Sequence, residues 1–238
     1  NSKHLSEAID YALLAYTRSY YQLEAGEIAV LTETGVAFVG DGGENIQKPL
    51  LTAQWDVEAA QKGGYAHFML KEIHEEADAL QKTIRPRIGR DGLPKLDIPL
   101  LGDDCLKDAD RLRIVACGTA MHAGLAGKCL IEGLARVPVE VSIASEFRYQ
   151  DPILRPGELV VVISQSGETA DSLAALRLAK ARGARTLAVV NVVGSSIARE
   201  ADAVLYTWAG PEIAVASTKA YGVQLGVMYL LALRMARA

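Results

Sequence analysis

Five short apolar runs alternate with helical stretches over the second half of the chain. The runs cover residues 112–116, 139–144, 158–164, 186–191 and 203–208. Helical patterns follow near 120–136 and 168–182. Continuous β-branched runs between amphipathic helices are typical of a parallel sheet covered on both faces. The pattern therefore predicts an α/β fold, a doubly wound parallel sheet of about five strands with the flavodoxin-like order 2-1-3-4-5.

The first part of the chain follows different patterns. Residues 26–39 contain two alternating β runs joined by Glu33-Thr34-Gly35, which predicts a hairpin with glycine in its turn. Residues 10–21 predict a short helix that runs into a strand. A small antiparallel β segment of this kind is too small to be stable alone. We therefore assign residues 1–57 to a neighbouring domain.

A helical lead-in separates this segment from the sheet. Residues 66–84 have helical spacing, with apolar side chains at Phe68, Met69, Ile73, Ala77 and Leu80. A connection rich in proline, glycine and aspartate follows and ends near residue 111. We therefore predict a helical lead-in and linker over 58–111 and the sheet domain over 112–238.

Composition and charge narrow the function classes. Half of the 238 residues are hydrophobic (50%), and 25 Lys and Arg stand against 29 Asp and Glu, a formal net charge of −4. That balance lacks the basic footprint of a protein that binds nucleic acid or an anionic membrane. No apolar run reaches the roughly 18 residues needed to span a bilayer. We therefore expect neither a nucleic-acid nor a membrane partner.

The cysteine and histidine residues indicate the cellular compartment and whether a metal site is expected. The three cysteines have neither an even count nor metal-type spacing, which favours a reducing, cytoplasmic setting. His67 and His74 share a helical face but lack a third ligand, so we expect no metal site. The chain opens on Asn1 instead of Met and closes within a helical pattern. We expect it to be part of a longer protein.

The loops that leave the strands carry the candidate chemistry, because ligands of such sheets bind beyond the carboxyl ends of the strands. Ser164-Gln165-Ser166-Gly167-Glu168-Thr169 lies between the third strand and a helix. A helix N-terminus offers unpaired N–H groups and partial positive charge, glycine permits close approach, and the hydroxyls donate without adding charge. This loop suits a phosphate, although the carboxylate of Glu168 would repel a dianion unless it turned away.

Two other interpretations concern the same loops. Ser166 is equally compatible with the role of a plain helix N-cap. Lys219 is compatible either with contact to a ligand or with a solvated position. A dinucleotide or nucleotide cofactor is not indicated, because no Gly-x-Gly-x-x-Gly follows the first strand and no Walker lysine is present. We expect no cofactor.

Five motifs in this order carry a family resemblance: "ACGTAMHAG", "ASEFRY", "SQSGETADSL", "NVVGSS" and "VASTKAY". Together they resemble the isomerase part of the glutamine–fructose-6-phosphate aminotransferases (glucosamine-6-phosphate synthases), which has the sugar isomerase (SIS) fold. The likeness is dense over roughly 65–238. Residues 11–55 more loosely resemble the end of that family's glutaminase domain, so 1–57 would be its C-terminal remnant and 112–238 the first SIS lobe.

The resemblance implies a set of sugar-phosphate contacts. They fall on Thr119, Ala120, Ser164, Gln165, Ser166, Thr169, Val215 and Ser217. Ala120 departs from the family's usual serine, so one side-chain hydrogen bond is missing or replaced. This chain has no counterpart of the family's four catalytic residues, which are a nucleophilic cysteine, a base glutamate, a ring-opening histidine and a Schiff-base lysine. We therefore assign no catalytic residue.

Two functions follow from the resemblance. The first is the sugar-phosphate-binding part of the enzyme that forms glucosamine 6-phosphate from fructose 6-phosphate and glutamine. The resemblance implies that glutamine is bound only by the glutaminase domain and that the enzyme is a homodimer. In that case the chain alone would be inactive. The second is a non-catalytic SIS module that senses sugar phosphates. The leader that resembles a glutaminase domain favours the enzyme.

Overall fold

The computed structural model describes residues 19–24, 26–52, 62–107 and 109–238. The chain forms two compact units, Asn1–Gly64 and Tyr65–Ala238. The helical lead-in therefore belongs to the same unit as the parallel sheet. The functional division at residues 57 and 111 remains a prediction.

The first unit contains antiparallel β structure. Its described strands are β1 (Ser19–Tyr20), β2 (Ile28–Thr32), β3 (Gly35–Val39), β4 (Asn45–Ile46) and β5 (Leu51–Thr52). Strand β1 pairs with β5, and a second sheet has the order β2-β3-β4. This confirms the small antiparallel segment that precedes the parallel sheet.

The two strands of the predicted hairpin are confirmed, but the prediction that glycine lies in its turn is wrong. Thr32 pairs with Gly35, so Glu33 and Thr34 form the turn and Gly35 is the first residue of β3. Neither turn residue has a positive φ, so this turn does not require glycine. Residues 10–18 of the expected helix lie outside the described residues.

The second unit alternates helices and strands. Its elements are α1 (Phe68–His74), α2 (Glu76–Ile84), α3 (Asp103–Lys107), β6 (Leu112–Ala116), α4 (Gly118–Leu134), β7 (Val139–Ile143), α5 (Ala144–Phe147), β8 (Leu159–Ser164), α6 (Ala170–Ala181), β9 (Arg185–Val190), α7 (Ser196–Glu200), β10 (Ala203–Tyr206) and α8 (Lys219–Arg237). Two short 3₁₀ turns, Arg85–Arg87 and Pro99–Leu101, lie in the linker.

The sheet of this unit is parallel throughout, with the order β10-β9-β8-β6-β7. Counted along the chain from the β7 edge this is 2-1-3-4-5, which confirms the predicted fold class and strand order. Strands β6 and β8 are neighbours at the point where the winding reverses. The loops that leave their carboxyl ends therefore lie side by side.

Alternate residues of each central strand enter two apolar layers. On β8, Val161 and Ile163 join the layer under α4 and α8, whereas Val160 and Val162 join the layer under α5, α6 and α7. Every residue of β8 is buried. Burial on both faces explains why these strands have continuous apolar sequences instead of alternating ones.

The lead-in is two helices, whereas the sequence predicts one helix over 66–84. Helix α1 ends before Glu75, and α2 begins after it. The apolar side chains of Met69 and Ile73 are 42% and 46% exposed, while α1 buries Lys71 and Glu72. Apolar spacing therefore indicated a helix correctly without identifying the face of α1 that is buried.

Candidate functional site

Three loops meet at the carboxyl edge of the sheet. The backbone N–H of Asn191, directly after β9, donates to the carbonyl of Gln165 over 3.0 Å. The Ser172 hydroxyl in the first turn of α6 lies 3.9 Å from the sulfur of Cys117, the residue directly after β6. The loops after β6, β8 and β9 are thus neighbours, as the strand order requires.

Residues 164–169, here called the hydroxyl loop, fold around their own side chains. The Gly167 N–H donates to Ser164 Oγ over 3.0 Å, and the Glu168 N–H donates to Ser166 Oγ over 3.1 Å. Ser164 Oγ and Thr169 Oγ1 are 3.2 Å apart. Both serines are buried, and Gln165 and Thr169 are partly buried. The sequence thus forms a compact turn that holds its hydroxyls in fixed positions.

Gly167 makes this turn possible in two ways. Its φ of +67° lies in the left-handed region, where a side chain costs roughly 1–2 kcal/mol. A Cβ at this position would also lie 2.0 Å from Ser195 Oγ and 2.6 Å from Ser195 Cβ, so the loop after β9 packs directly against the glycine. No other residue type satisfies both conditions.

The arrangement is suited to an anion. Ser164 and Ser166 each accept a backbone N–H, and a hydroxyl that accepts a hydrogen bond still has its own proton to donate. Helix α6 begins directly after the loop, and its first N–H groups have no carbonyl partners within the helix. Several hydroxyls and the N-terminus of α6 therefore lie next to each other along the chain, a combination that suits an anion such as phosphate.

A plain helix cap does not explain the loop. The N-cap residue of α6 is Thr169, three positions after Ser166, and no side-chain cap hydrogen bond forms there. Ser166 instead accepts the N–H of Glu168 inside the turn. The interpretation of Ser166 as the N-cap is therefore wrong.

Glu168 turns away from α6. Its Oε1 accepts the N–H of Ser196 at the start of α7 over 2.7 Å, so the carboxylate is used to join the hydroxyl loop to the loop after β9. Glu168 is exposed, and this contact holds its carboxylate at the start of α7.

The loop after β6 presents one hydroxyl and one methyl group. Thr119 is exposed in the first turn of α4, beside Gly118 with a φ of +57°. Ala120 is buried in the apolar layer under α4 and α8. The alanine is therefore compatible with its surroundings, and Thr119 is the polar group that this loop offers to a ligand.

Val215 and Ser217 lie on the segment between β10 and α8. Val215 is 77% exposed, and the Ser217 hydroxyl donates to Glu212 Oε2 over 2.9 Å. Lys219 is not solvated, because it is 2% exposed and its Nζ lies 2.6 Å from Glu75 Oε2.

Asn191 connects this segment to the hydroxyl loop, and the sequence analysis did not identify it. Its side-chain amide donates to the Gly210 carbonyl over 2.8 Å and accepts the Ala209 N–H over 2.7 Å. Its own backbone N–H donates to Gln165. An asparagine that directly follows a buried strand at the ligand edge was the available signal.

The model of one family, the SIS domain, matches residues 105–234 and so more than half of the chain. The chain belongs to the SIS domain family. Among curated relatives it is 56% identical to the glutamine–fructose-6-phosphate aminotransferase (isomerizing) of Caldanaerobacter subterraneus subsp. tengcongensis and 57% identical to that of Clostridium acetobutylicum, each over 222 residues. These matches cover 93% of the chain but 36% of each relative, so the chain spans about a third of their length.

A solved structure shares the fold. The C-terminal domain of glucosamine-fructose-6-phosphate aminotransferase from Francisella tularensis superposes with a TM-score of 0.69 at 43% identity. The match covers 74% of this chain and 49% of that one. The region of this chain with the SIS fold therefore corresponds to about half of that domain.

Two buried carboxylates of the SIS unit were also missed by the sequence analysis. Glu72 on α1 is 2% exposed and Glu212 is 6% exposed. Burial raises the pKa of Glu72, and hydrogen bonds from the N–H groups of Ile213 and Ala214 partly offset that rise. Glu72 and its loop partners are about 140 positions apart, so no local pattern reveals their contact.

Neither a candidate metal centre nor a membrane-spanning helix is found in the part of the chain that the structure describes. Within it, no group of three or more His, Cys, Asp or Glu side chains is arranged to hold a metal ion. Among the same residues, no helix combines the length and apolarity that crossing a membrane requires.

Proposed function

We propose that the SIS lobe binds a hexose 6-phosphate, with the phosphate at the hydroxyl loop and the sugar toward Val215 and Ser217. The observation that carries this proposal is the geometry of residues 164–169, where buried hydroxyls directly precede the start of α6. The relatives' names supply the substrate class, fructose 6-phosphate.

We further propose that the chain is the sugar-phosphate-binding part of an enzyme that forms glucosamine 6-phosphate from fructose 6-phosphate and glutamine. The high identity extends over 93% of the chain and so beyond the SIS match of 105–234. That extent supports the aminotransferase over a non-catalytic sugar-phosphate sensor.

The roles of the residues follow from this proposal. Ser166 and Thr169 donate to the phosphate, and Thr119 donates from the neighbouring loop. Ser164 Oγ lies 3.2 Å from Thr169 Oγ1 and donates its own proton to that oxygen. No residue of this chain is assigned as a base or nucleophile, so the 238 residues bind substrate without converting it. We propose that glutamine is handled by a glutaminase domain, that the enzyme is a homodimer in the cytoplasm, and that no cofactor takes part.

Isotope-edited NMR of the 238-residue chain tests the binding proposal. Fructose 6-phosphate should shift the amide signals of 164–169 and 215–217, inorganic phosphate only the first group, and fructose neither. Thr169→Ala should weaken fructose 6-phosphate binding by about tenfold to a hundredfold, through the loss of one charge-assisted hydrogen bond of about 1.5–3 kcal/mol.

The matched control is Thr34→Ala, which removes an exposed threonine hydroxyl from the hairpin turn of the first unit. It should bind like the parent. Equal shifts with fructose and fructose 6-phosphate, or equal affinities of the two variants, would show that the hydroxyl loop does not bind the phosphate.

A further inference from the structure

Helix α1 buries charge and exposes apolar surface. Lys71 and Glu72 are 7% and 2% exposed, whereas Met69 and Ile73 are 42% and 46% exposed. Burial of a carboxylate is costly unless the group is hydrogen-bonded. The position of Glu72 is therefore explained by what its carboxylate contacts and not by packing of the helix.

Glu72 contacts the backbone of the sugar-facing segment, residues 210–218. Its Oε1 accepts the N–H of Ile213 over 2.6 Å and that of Ala214 over 3.1 Å. This segment has neither helix nor strand structure, so no ladder partner is available to those N–H groups. Two hydrogen bonds to a carboxylate are of the stronger, charge-assisted kind, and they fix the backbone immediately before Val215.

Glu212 fixes the other end of the same segment. Its Oε1 accepts the N–H groups of Thr218 and Ala220 over 2.9 and 3.0 Å, and its Oε2 accepts the Ser217 hydroxyl over 2.9 Å. Val215 lies between the two held ends and projects into solvent. The tip of the segment is thus set by two carboxylates, one of them from a distant helix.

A second contact joins α1 to the end of the segment. Lys219, almost fully buried at the start of α8, has its Nζ 2.6 Å from Oε2 of Glu75, the residue directly after α1. Lys71 Nζ lies 3.4 Å from Glu75 Oε1. Both ends of the sugar-facing segment are therefore held against this one helix.

We propose that Glu72 is a positioning residue for the sugar. By holding the backbone of Ile213 and Ala214, it sets the distance of Val215 and Ser217 from the hydroxyl loop. A hexose attached to the phosphate requires that distance, whereas bare phosphate does not. The inference rests on the proposed function. Glu72 touches no substrate itself. Its Oε2 is buried without a partner among the described residues, so contact with the segment is made through Oε1 alone.

The test measures the affinity of the 238-residue chain for fructose 6-phosphate and for inorganic phosphate. Glu72→Ala should weaken fructose 6-phosphate binding about tenfold, the loss expected for one displaced contact, and leave phosphate affinity unchanged. Glu72→Gln retains an acceptor oxygen and should be intermediate. Asp78→Asn, on the exposed side of α2, is the matched control and should bind both like the parent.

Glu72→Asp keeps the charge but withdraws the carboxylate by one methylene. It should therefore behave like Glu72→Ala, and it substitutes for that variant if the alanine protein does not fold. Equal losses for fructose 6-phosphate and phosphate would assign Glu72 a purely structural role and overturn the proposal. Unchanged fructose 6-phosphate affinity in the aspartate variant would overturn it as well.

A separate measurement distinguishes failure of this inference from failure of the proposed function. In the ligand-free chain, the amides of 213–214 should exchange with solvent faster in Glu72→Asp than in Asp78→Asn. If the parent binds no sugar phosphate but this difference is found, the proposed function is wrong and the positioning contact stands. If the exchange rates are equal, Glu72 does not hold the segment and the inference is wrong.

Discussion

At the scale of single residues, the hydroxyl loop depends on the pairing of Gly167 with Ser195. Gly167→Ala should reduce the free energy of unfolding by roughly 2–5 kcal/mol, the sum of left-handed backbone strain and overpacking. Ser195→Gly in the same chain removes the two closest atoms that the new Cβ would meet and leaves Val190 Cγ1 at an ordinary contact distance of 3.5 Å. The double variant should therefore recover the overpacking part of the loss, about 1–3 kcal/mol.

Urea denaturation of the parent, both single variants and the double variant measures this coupling. The backbone strain at Gly167 should remain in the double variant, so recovery is expected to be partial. Strictly additive effects would mean that Ser195 does not pack against the glycine.

The candidate binding residues could be predicted from the sequence where they are adjacent in the chain. The hydroxyl loop was found because its serines, glycine and threonine are adjacent in the chain. Glu72 and Lys219 were not understood, since each is explained by a partner about 140 positions away. Glu168 was judged unfavourable for the same reason: its N–H partner, Ser196, belongs to another loop.

At the scale of elements, α4 approaches the sheet closely because Gly124 has no side chain. A Cβ there would lie 2.8 Å from Ile114 Cγ2 on β6 and 3.4 Å from Val141 Cγ1 on the edge strand β7. Gly124→Ala should therefore destabilise the chain by about 1–3 kcal/mol through overpacking, reduced by the better helix propensity of alanine, about 0.5–1 kcal/mol.

Gly133 in the same helix is the matched control, because a Cβ there would meet nothing within 4 Å. Gly133→Ala should stabilise the chain by about 0.5–1 kcal/mol through propensity alone. Thermal denaturation of both variants measures the contrast. Stabilisation by both substitutions would show that α4 does not need the glycine for its contact with β6 and β7.

Elements were predicted best where burial is complete. The strands β6 and β8 are buried along their whole length, so their apolar runs leave no alternative interpretation. The lead-in was predicted as one helix because apolar spacing continues through Glu75. The break there accompanies the contact of Glu75 with Lys219, which is a tertiary contact that spacing does not encode.

At the scale of the whole molecule, residues 65–111 belong to the same compact unit as the sheet. Leu101 and Leu106 are buried in the apolar layer under α4 and α8. Thr83 Oγ1 donates to the Thr207 carbonyl, and Arg87 donates to the Tyr206 carbonyl over 2.5 Å. The SIS match beginning at 105 and the predicted lobe beginning at 112 both start inside this structural unit.

A chain that begins at residue 65 and a chain that begins at residue 112 should differ in their stability toward unfolding. A chain of residues 65–238 contains the full sheet, both apolar layers and the lead-in, so it should unfold cooperatively and bind fructose 6-phosphate like the parent. A chain of 112–238 lacks Leu101 and the partners of the Tyr206 and Thr207 carbonyls. Loss of buried leucine alone costs about 2–5 kcal/mol, so this chain should be much less stable or unfolded. Equal melting of the two chains would place the boundary of the folding unit at 112.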